Sequence, residues 1–306
     1  MITKVILAEP RGFCAGVIRA IDSVEKALEL YGKPIYVRRQ IVHNPFVVKE
    51  LEGKGAIFVE EVTHIPKGSR VIFSAHGISP IVKQSAGNRS LDIIDATCPL
   101  VTKVHLEAIK YAKENYTIIL IGHQGHDEVI GTMGEAPENI LLVESIEEAM
   151  SVEVVDPAKI AVISQTTLSV DDTKEILEAL ERRFPRMVKP ARSDICFATQ
   201  NRQDAVKLLA REVDLVLVLG ADNSSNSQRL REVAEVTGCE SYLITSIDDL
   251  DASWLENIKT VGITSGASTP ESLVSEVIKF LESRGNPVFT TLKAVDEDVQ
   301  FTLPRI

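Results

Sequence analysis

The fold is organised around residues 91–105, which read Leu91-Asp92-Ile93-Ile94-Asp95-Ala96-Thr97-Cys98-Pro99-Leu100-Val101-Thr102-Lys103-Val104-His105. The pattern predicts a short buried strand, a polar turn with one cysteine, and a helix whose first turn accommodates Pro99. Cys98 is therefore expected at a helix N-terminus, where the helix dipole favours a thiolate over a thiol. Cys14 and Cys196 also follow an extended segment and precede an amphipathic helix. We expect the fold to gather these three thiolates at one point.

The composition describes an acidic chain of ordinary globular character. Its 306 residues are 44% hydrophobic and 25% charged, with a net charge of -11. That charge argues against nucleic acid as a partner, and four cysteines without a CxxC pair do not resemble a secreted disulfide framework. The N-terminal apolar run is too short for a signal peptide, and no apolar stretch is long enough for a membrane span. A cytoplasmic location without membrane partners is the resulting prediction.

Strands alternate with helices along the chain, which predicts an α/β fold with parallel-type sheets. The order of cysteine turn, helix, strand and polar loop occurs three times and divides the chain into pseudo-repeated α/β modules. The predicted modules are residues 1–97 with Cys14, residues 98–195 with Cys98, and residues 196–284 with Cys196. Residues 285–306 are predicted to be a C-terminal strand or arm without chemistry of its own. Parallel sheets bind ligands at the carboxyl ends of their strands, so a three-lobed arrangement would place the polar loops around one cavity.

Several kinds of site can be built from cysteine. A free cysteine is often a small buried hydrophobe, and we accept that interpretation for Cys239, which lies between a helix and a strand. Structural zinc sites usually contain closely spaced cysteine pairs. Three widely spaced thiolates without a clear fourth ligand instead suit an iron–sulfur cluster with one open iron, which binds a substrate oxygen as a Lewis acid and delivers electrons.

Eight short motifs then make the sequence recognisable. They are Arg11-Gly12-Phe13-Cys14-Ala15-Gly16-Val17, Ile41-Val42-His43-Asn44, Ser74-Ala75-His76-Gly77, Asp95-Ala96-Thr97-Cys98-Pro99, Gly122-His123-Gln124-Gly125-His126-Asp127-Glu128-Val129, Ser164-Gln165-Thr166-Thr167-Leu168, Asn223-Ser224-Ser225-Asn226-Ser227 and Gly266-Ala267-Ser268-Thr269-Pro270. In this order they resemble the 4-hydroxy-3-methylbut-2-enyl diphosphate reductase family. Each motif alone is weak, but the ordered set is highly specific and extends to about Leu281.

The resemblance implies a trefoil of three α/β modules around a central [4Fe-4S] cluster held by Cys14, Cys98 and Cys196. The substrate hydroxyl would bind the open iron, and two electrons and two protons would remove it as water. The products would be isopentenyl diphosphate and dimethylallyl diphosphate, in the last step of the methylerythritol phosphate route to isoprenoids. A flavodoxin or ferredoxin system would supply the electrons.

The polar loops provide the remaining predicted site residues. The substrate-binding set contains donors to the diphosphate, namely His43, His76, His126, Ser224, Ser225, Asn226 and Ser268. It also contains Thr166, which would bind the substrate hydroxyl and relay its proton. The catalytic set is Glu128, Thr166 and His126, with Glu128 as the proton source because it is the only carboxylate that we assign to a donor-rich loop.

Alternatives stay open at several of these positions. Ser224 also suits a helix cap, and an alternative for His123 is that it shapes the loop while His126 reaches the ligand. Thr167 or Gln165 could replace Thr166 at the substrate hydroxyl. We predict that His64 and His105 are structural.

Two other functions compete with the reductase. A non-redox dehydratase would also use three cysteines and one open iron, but would turn over without a reductant. A non-catalytic iron–sulfur sensor would need a partner-binding surface or a nucleic-acid module, and the acidic composition indicates neither.

Overall fold

The computed structural model describes residues 2–306 of the chain. Strands and helices alternate through these residues, and every strand pairing is parallel. The predicted α/β class is confirmed. No helix in this part of the chain is long and apolar enough to cross a membrane.

The strands are short, between four and six residues each. They are β1 (Lys4–Glu9), β2 (Ile35–Arg38), β3 (Ala56–Val59), β4 (Arg70–Phe73), β5 (Asp92–Asp95), β6 (Thr117–Ile121), β7 (Ile140–Val143), β8 (Ile160–Ser164), β9 (Leu215–Leu219), β10 (Glu240–Ile244), β11 (Thr260–Ser265) and β12 (Val288–Lys293).

The helices connect successive strands. They are α1 (Ala15–Tyr31), α2 (Pro45–Lys54), α3 (Pro80–Asn88), α4 (Pro99–Lys113), α5 (Asp127–Glu135), α6 (Ile146–Ser151), α7 (Val170–Arg183), α8 (Phe197–Leu209), α9 (Ser225–Val236) and α10 (Glu271–Ser283). Short 3₁₀ helices occur at Val62–His64, Ile247–Asp249 and Ala252–Leu255.

The described residues divide into two compact units. The first unit comprises residues 2–15, 43–47 and 197–300, and the second comprises residues 16–42, 48–196 and 301–306.

The first unit is built on one sheet with the strand order β10-β9-β11-β1-β12. All five residues of β9 are buried, because apolar side chains cover both faces of the sheet. Residues of α10 pack on one face, and residues of α8 and α9 pack on the other. A strand buried on both faces needs no polar side, which explains its unbroken Leu and Val run.

The second unit contains two sheets, with the strand orders β3-β2-β4-β5 and β7-β6-β8. A single parallel bridge between Ala161 and Val188 extends the second of these sheets beyond β8. Each of the three sheets therefore contains three strands in the same spatial order: the second along the chain, then the first, then the third, as in β10-β9-β11, β3-β2-β4 and β7-β6-β8. The segment that leads to a cysteine lies beside the third strand in each sheet. The repeat deduced from the sequence is thus a repeat of sheet topology.

The structure corrects the sheet membership of β1. The sequence assigns this strand to the first module, residues 1–97, but β1 pairs with two strands from the far end of the chain: Val5 lies opposite Val261 of β11 and Phe289 of β12. An apolar strand satisfies its backbone equally well in any parallel sheet, so its neighbours in the chain do not determine its partners.

The predicted C-terminal arm, residues 285–306, begins with a strand of this same sheet. Strand β12 pairs with β1 along its whole length, whereas residues 294–306 contain no regular helix or strand.

Candidate functional site

The Cys14 turn is held against the loop that follows β11 in the first unit. The Cys14 N–H donates to the carbonyl oxygen of Ala267 at 3.2 Å, and the Gly12 N–H donates to that of Ser265 at 3.3 Å. Gly12 adopts a φ of +66°, and a Cβ at this position would lie 3.3 Å from the Thr269 carbonyl oxygen. The turn therefore needs glycine at this position.

The two cysteine turns of the second unit repeat this contact. The Cys98 N–H donates to the Ala75 carbonyl oxygen at 2.9 Å, and the Cys196 N–H donates to the Thr166 carbonyl oxygen at 3.0 Å. Ala75 and Thr166 lie in the loops after β4 and β8, the third strands of their sheets. Each cysteine backbone is thus bonded to a loop that carries a predicted substrate-binding residue: His76, Thr166 itself, or Ser268.

The side chains of the three cysteines suit a metal centre. None of the three forms a disulfide bond, all three are half-buried, and each immediately precedes a helix: α1, α4 or α8. Cys98 is the N-cap residue of α4, with Pro99 at the first helical position as predicted. Helix N-termini stabilise thiolates, so the residues present fit the three-cysteine ligand set of an iron–sulfur cluster.

Cys239 differs from these three cysteines in its burial and in its position, which does not precede a helix. It is 7% exposed and belongs to an apolar cluster of the first unit. Its Sγ lies 3.5 Å from the carbonyl oxygens of Val213 and Glu240. Burial raises the pKa of its thiol, and the nearby Asp214 and Glu240 raise it further. A neutral, packed thiol of this kind is the structural cysteine expected from the sequence.

Glu128 and Thr166 form a buried side-chain pair in the second unit. Glu128 is 5% exposed and Thr166 is 4% exposed. The Thr166 backbone N–H donates to Glu128 Oε2 at 2.9 Å, and its hydroxyl lies 3.0 and 2.9 Å from the two carboxylate oxygens. Because the Thr166 carbonyl also accepts the Cys196 N–H, a carboxyl group, a hydroxyl group and a cysteine turn are joined through one residue.

His126 caps the helix that carries Glu128. Its Nδ1 accepts the Glu128 backbone N–H at 3.2 Å, which assigns the ring hydrogen of the neutral imidazole to Nε2. Burial lowers the pKa of His126 to about 4, while the adjacent Asp127 opposes this shift and His123 adds to it. His126 is therefore a neutral donor through Nε2 near pH 7.

Asp127 is a residue that the sequence analysis did not assign. Its carboxylate forms an ion pair with Arg39 and lies 4.0 Å from His76 Nδ1. Glu128 is thus not the only carboxylate of this loop, which corrects the sequence-based assignment. The rings of His76 and His126 meet edge to face with centroids 6.1 Å apart. The acidic residue between His126 and Glu128 was visible in the sequence, but its contact with Arg39 was not.

Gln165 and Thr167 have different contacts from Thr166. Gln165 Nε2 donates to Thr167 Oγ1 at 2.9 Å, and Gln165 Oε1 accepts the His123 backbone N–H at 3.1 Å. The His123 ring lies 3.7 Å from a Glu144 carboxylate oxygen. These contacts shape the loops, and of the three neighbours Thr166 is the one whose hydroxyl meets Glu128.

In the first unit, Asn226 lies in the first turn of α9, which follows β9, and Ser268 lies in the loop after β11. Asn226 is 4% exposed, and its Oδ1 accepts the Ala267 backbone N–H at 2.9 Å. The Ser268 hydroxyl donates to the His43 carbonyl oxygen at 3.0 Å. Ala267 therefore connects Asn226 to the Cys14 turn, and Ser268 connects that same loop to His43.

Ser224 has the capping role that we weighed against ligand binding. Its Oγ accepts the Ser227 backbone N–H at the start of α9, and the Ser227 hydroxyl lies 3.1 Å from it. Ser227 is fully buried in a gap lined by two glycines, since a Cβ at Gly220 or Gly266 would lie 2.1 Å from its Oγ. Ser225 is half-buried at the first position of the helix.

His105 has a structural position in the second unit. Its Nδ1 lies 2.9 Å from Glu135 Oε1, and its ring packs against Gly77 and Gly131. Gly77 has a φ of +81°, and a Cβ there would lie 3.1 Å from the ring. His105 thus packs against the loop after β4 at Gly77. His64 is an exposed residue of a 3₁₀ helix.

Comparison with known sequences gives this arrangement its context. The sequence model of a family described as LytB protein matches residues 5–282. The chain belongs to the LytB family. That match includes all three half-buried cysteines and every loop described above, and it confirms the resemblance found in the motifs.

Individual relatives agree with the LytB match. The 4-hydroxy-3-methylbut-2-enyl diphosphate reductase of Streptomyces avermitilis is 55% identical over 303 residues, which cover 99% of this chain and 90% of the relative. The protein of the same name from Acidothermus cellulolyticus is 56% identical over 302 residues, covering 98% and 89%. Among solved structures, the E-1-hydroxy-2-methyl-but-2-enyl-4-diphosphate reductase of Plasmodium falciparum matches with a TM-score of 0.96 and 40% identity, over 99% of this chain and 96% of that chain.

Proposed function

We propose that this chain is an iron–sulfur oxidoreductase that converts 4-hydroxy-3-methylbut-2-enyl diphosphate into isopentenyl and dimethylallyl diphosphates. This reductive dehydroxylation would be the last step of the methylerythritol phosphate route. Near-complete alignment with reductases of that name, at 55% and 56% identity, supports the substrate and the reaction.

The observation that carries the proposal is the buried contact between Glu128 and Thr166, joined through Thr166 to the Cys196 turn. Removal of a hydroxyl group as water needs a proton at the leaving oxygen as the C–O bond breaks. Glu128 is shielded from water and meets a hydroxyl group that can pass a proton onward. A carboxyl group, a hydroxyl group that can relay a proton and a proposed cysteine ligand are thus linked by hydrogen bonds. This arrangement favours the reductive reaction over simple metal storage.

Cys14, Cys98 and Cys196 would hold a [4Fe-4S] cluster. The support for this ligand set is the shared setting of a half-buried cysteine, outside any disulfide, at the start of a helix. Such a cluster supplies electrons and, with three protein ligands, one Lewis-acidic iron. We exclude Cys239 from the ligand set because it is packed among apolar side chains.

The diphosphate would be bound by His43, His76, His126, Ser225, Asn226 and Ser268, with Ser224 contributing by ordering the start of α9. Neutral His126 would donate through Nε2. Asn226 is held through its Oδ1, which leaves Nδ2 as the donor, so little conformational entropy is lost when a ligand arrives. The Ser268 hydroxyl would turn from the His43 carbonyl oxygen to a phosphate oxygen. A helix N-terminus such as that of α9 favours an anion.

Glu128 and Thr166 would perform the proton transfer. Thr166 would hydrogen-bond the substrate hydroxyl and Glu128 would restore its proton. His126 would keep the Glu128 backbone in place through the cap at the start of α5. A flavodoxin or ferredoxin system would deliver the electrons. Because its four cysteines form no disulfide bond, we place the protein in the reducing cytoplasm.

Anaerobic purification followed by iron and sulfide analysis tests the cluster directly. We expect about four irons per chain and turnover of 4-hydroxy-3-methylbut-2-enyl diphosphate with dithionite-reduced viologen. Cys14→Ser, Cys98→Ser and Cys196→Ser should each lose most iron and all activity, while the matched Cys239→Ser keeps both. Equal damage from Cys239→Ser would contradict the ligand set. Turnover without any reductant would replace the reductase with a dehydratase.

A further inference from the structure

A basic side chain follows each of the three half-buried cysteines at almost the same distance. Arg19 is five residues after Cys14, Lys103 is five residues after Cys98, and Arg202 is six residues after Cys196. They lie on α1, α4 and α8, the helices that begin at the cysteine turns. None of them is used by the chemistry proposed above, so their contacts need a separate explanation.

Arg19 binds the turn of a different cysteine. In the second unit, its Nη1 donates to the carbonyl oxygen of Thr97, the residue before Cys98, at 2.9 Å. Its Nε donates to the Thr302 carbonyl oxygen at 2.8 Å. Desolvation lowers the pKa of Arg19, while Cys98 and Asp95 oppose this shift. The cation on the Cys14 helix therefore holds the Cys98 turn.

Lys103 makes the corresponding contact with the Cys196 turn, also inside the second unit. Its Nζ donates to Asp194 Oδ1 at 2.6 Å and to the Arg192 carbonyl oxygen at 3.1 Å. The Asp194 side chain is only 1% exposed, and its other oxygen accepts the Ser164 backbone N–H at 3.0 Å. Through Asp194, the cation on the Cys98 helix fixes the segment before Cys196 to the end of β8.

Arg202 makes the third contact, inside the first unit. Its Nη2 and Nε donate to the Gly12 carbonyl oxygen at 2.8 and 3.2 Å. The guanidinium is 1% exposed and is paired with Glu297 at 3.0 Å. Gly12 lies two residues before Cys14. The cation on the Cys196 helix thus holds the Cys14 turn.

We propose that Arg19, Lys103 and Arg202 are positioning residues for the cluster, and that each one clamps the turn of the next cysteine in a cyclic order. The cation on the helix after Cys14 holds the Cys98 turn, and the cation on the helix after Cys98 holds the Cys196 turn. The cation on the helix after Cys196 holds the Cys14 turn. Arg202 is buried, and a buried cation is costly unless it is hydrogen-bonded, whereas Arg19 and Lys103 are half-buried. Each of the three donates at least one bond to a backbone or carboxylate group within four residues of the next cysteine.

The C-terminal segment is part of this device. The Thr302 carbonyl and the Glu297 carboxylate bind Arg19 and Arg202, and Asn201 also donates to Glu297 at 2.9 Å. The C-terminal arm, residues 285–306, was predicted to have no chemistry of its own, yet it binds two of the three cations.

Hydrogen exchange of the metal-free protein tests the clamps without the cluster. The reporters are the Cys14, Cys98 and Cys196 amides, each bonded to a loop carbonyl. Arg19→Gln should accelerate exchange at Cys98, Lys103→Met at Cys196, and Arg202→Gln at Cys14, each by about ten- to a hundredfold. The cysteine on the same helix as the altered cation should stay unchanged. Lys26→Gln, Lys110→Gln and Lys207→Gln remove a charge from the same helices and should leave all three reporters unchanged.

Because Arg202 is fully buried, Arg202→Gln is paired with the milder Arg202→Lys. The lysine variant keeps the charge but cannot donate two hydrogen bonds from one planar group to the Gly12 carbonyl oxygen. Amide exchange should therefore rise at Cys14 alone, and by a smaller factor than in Arg202→Gln. Acceleration at the variant's own cysteine, equal acceleration at all three cysteines, or no acceleration would each overturn the cyclic clamp.

A second measurement connects the clamps to the cluster, and it alone rests on the proposed function. In anaerobically prepared protein, loss of a cation should move the midpoint potential of the cluster to a more negative value, since reduction adds negative charge. Glu297→Gln should move it the opposite way, because it removes the anion paired with Arg202. Unchanged potentials in all of these variants would overturn the assignment as cluster-positioning residues. Absence of any iron would contradict the proposed function while the exchange result stood.

Discussion

The segments that follow the first and third strands of a sheet make different side-chain hydrogen bonds in the two units. In the second unit, the side chains of Glu128 and Thr166 bond to each other. In the first unit, Asn226 and Ala267 occupy the corresponding positions and make only the backbone part of this contact, from the Ala267 N–H to Asn226 Oδ1. The hydroxyl of the next residue, Ser268, donates to the His43 carbonyl oxygen. A pair of side chains can pass a proton, whereas a side chain that is bonded to the backbone is held in one orientation. The difference supports the proposed proton transfer in the second unit and the proposed binding role of Asn226 in the first.

The largest effect is expected from Glu128→Gln. Glutamine keeps the shape and the bond to Thr166 but cannot give up a proton, so turnover should fall by about 10²–10⁴-fold, or roughly 3–5 kcal/mol. Iron content should be unchanged. Steady-state rates with a viologen donor, alongside Mössbauer spectra with substrate, measure both quantities.

Glu144→Gln is the matched control for this variant. Glu144 also contacts this loop, where it accepts the Gln124 backbone N–H at 2.9 Å, but no contact joins it to Thr166 among the described bonds. It should retain most activity. Near-normal turnover by Glu128→Gln would transfer the proton source to Thr166 with a water or to the diphosphate.

The N-caps of α5 and α9 extend the comparison to pH. His126 caps α5 with a pKa lowered by burial to about 4, whereas Ser224 caps α9 and does not titrate near neutral pH. Between pH 6.5 and about 4 the unfolded chain binds a proton at His126 that the folded chain does not. The free energy of unfolding should therefore decrease as the pH is lowered through this window, by at most about 3 kcal/mol. Below about pH 4, the contribution of His126 to this decrease should level off.

His126→Asn isolates that contribution, since asparagine is a good N-cap without a titration. Denaturant unfolding at pH 7 and pH 4.5 should show a smaller loss of stability in the variant than in the native chain. An identical loss in both proteins would contradict the role of His126.

A smaller and different effect is expected in the first unit from Asn226→Ala. Loss of a donor to a charged phosphate oxygen, together with the bond to Ala267, should weaken diphosphate binding by about 1.5–3 kcal/mol. The change should appear in KM and in the affinity for inhibitory diphosphates, with the iron content preserved. A fall in kcat with unaltered affinity would break the division of roles between the units.

The smallest effect is expected from Ser224→Ala. Loss of a helix cap costs about 1 kcal/mol of stability, and the fixed shape of the loop should be otherwise retained because Ser227 stays locked between Gly220 and Gly266. Thermal unfolding and diphosphate titration measure the two consequences. A large loss of affinity with unchanged stability would make Ser224 a direct ligand instead of a cap.

The amino-acid sequence by itself determined the repeated elements and the cysteine turns. Periodicity locates strands and helices because it reflects which faces are buried, and the placement of Cys98 before Pro99 follows from local helix chemistry. Glu128 and Thr166 were found as members of polar loops after strands. The role of Cys239 as a packed thiol also followed from its lack of a matching turn.

Only the tertiary structure decided which segments meet. Strand β1 is an apolar run that could pair in any of the three sheets, and its partners β11 and β12 lie more than 250 residues away in the chain. Three features depend on contacts between residues distant in the chain: the bond of Thr166 to Glu128, the ion pair of Asp127 with Arg39, and the bonds of Arg19, Lys103 and Arg202 to segments beside the cysteines. Local pattern carries no record of such pairings, because a side chain's spacing along its own element does not identify the element opposite. Burial against a particular neighbour, set by the packing of whole sheets and helices, is what selects them.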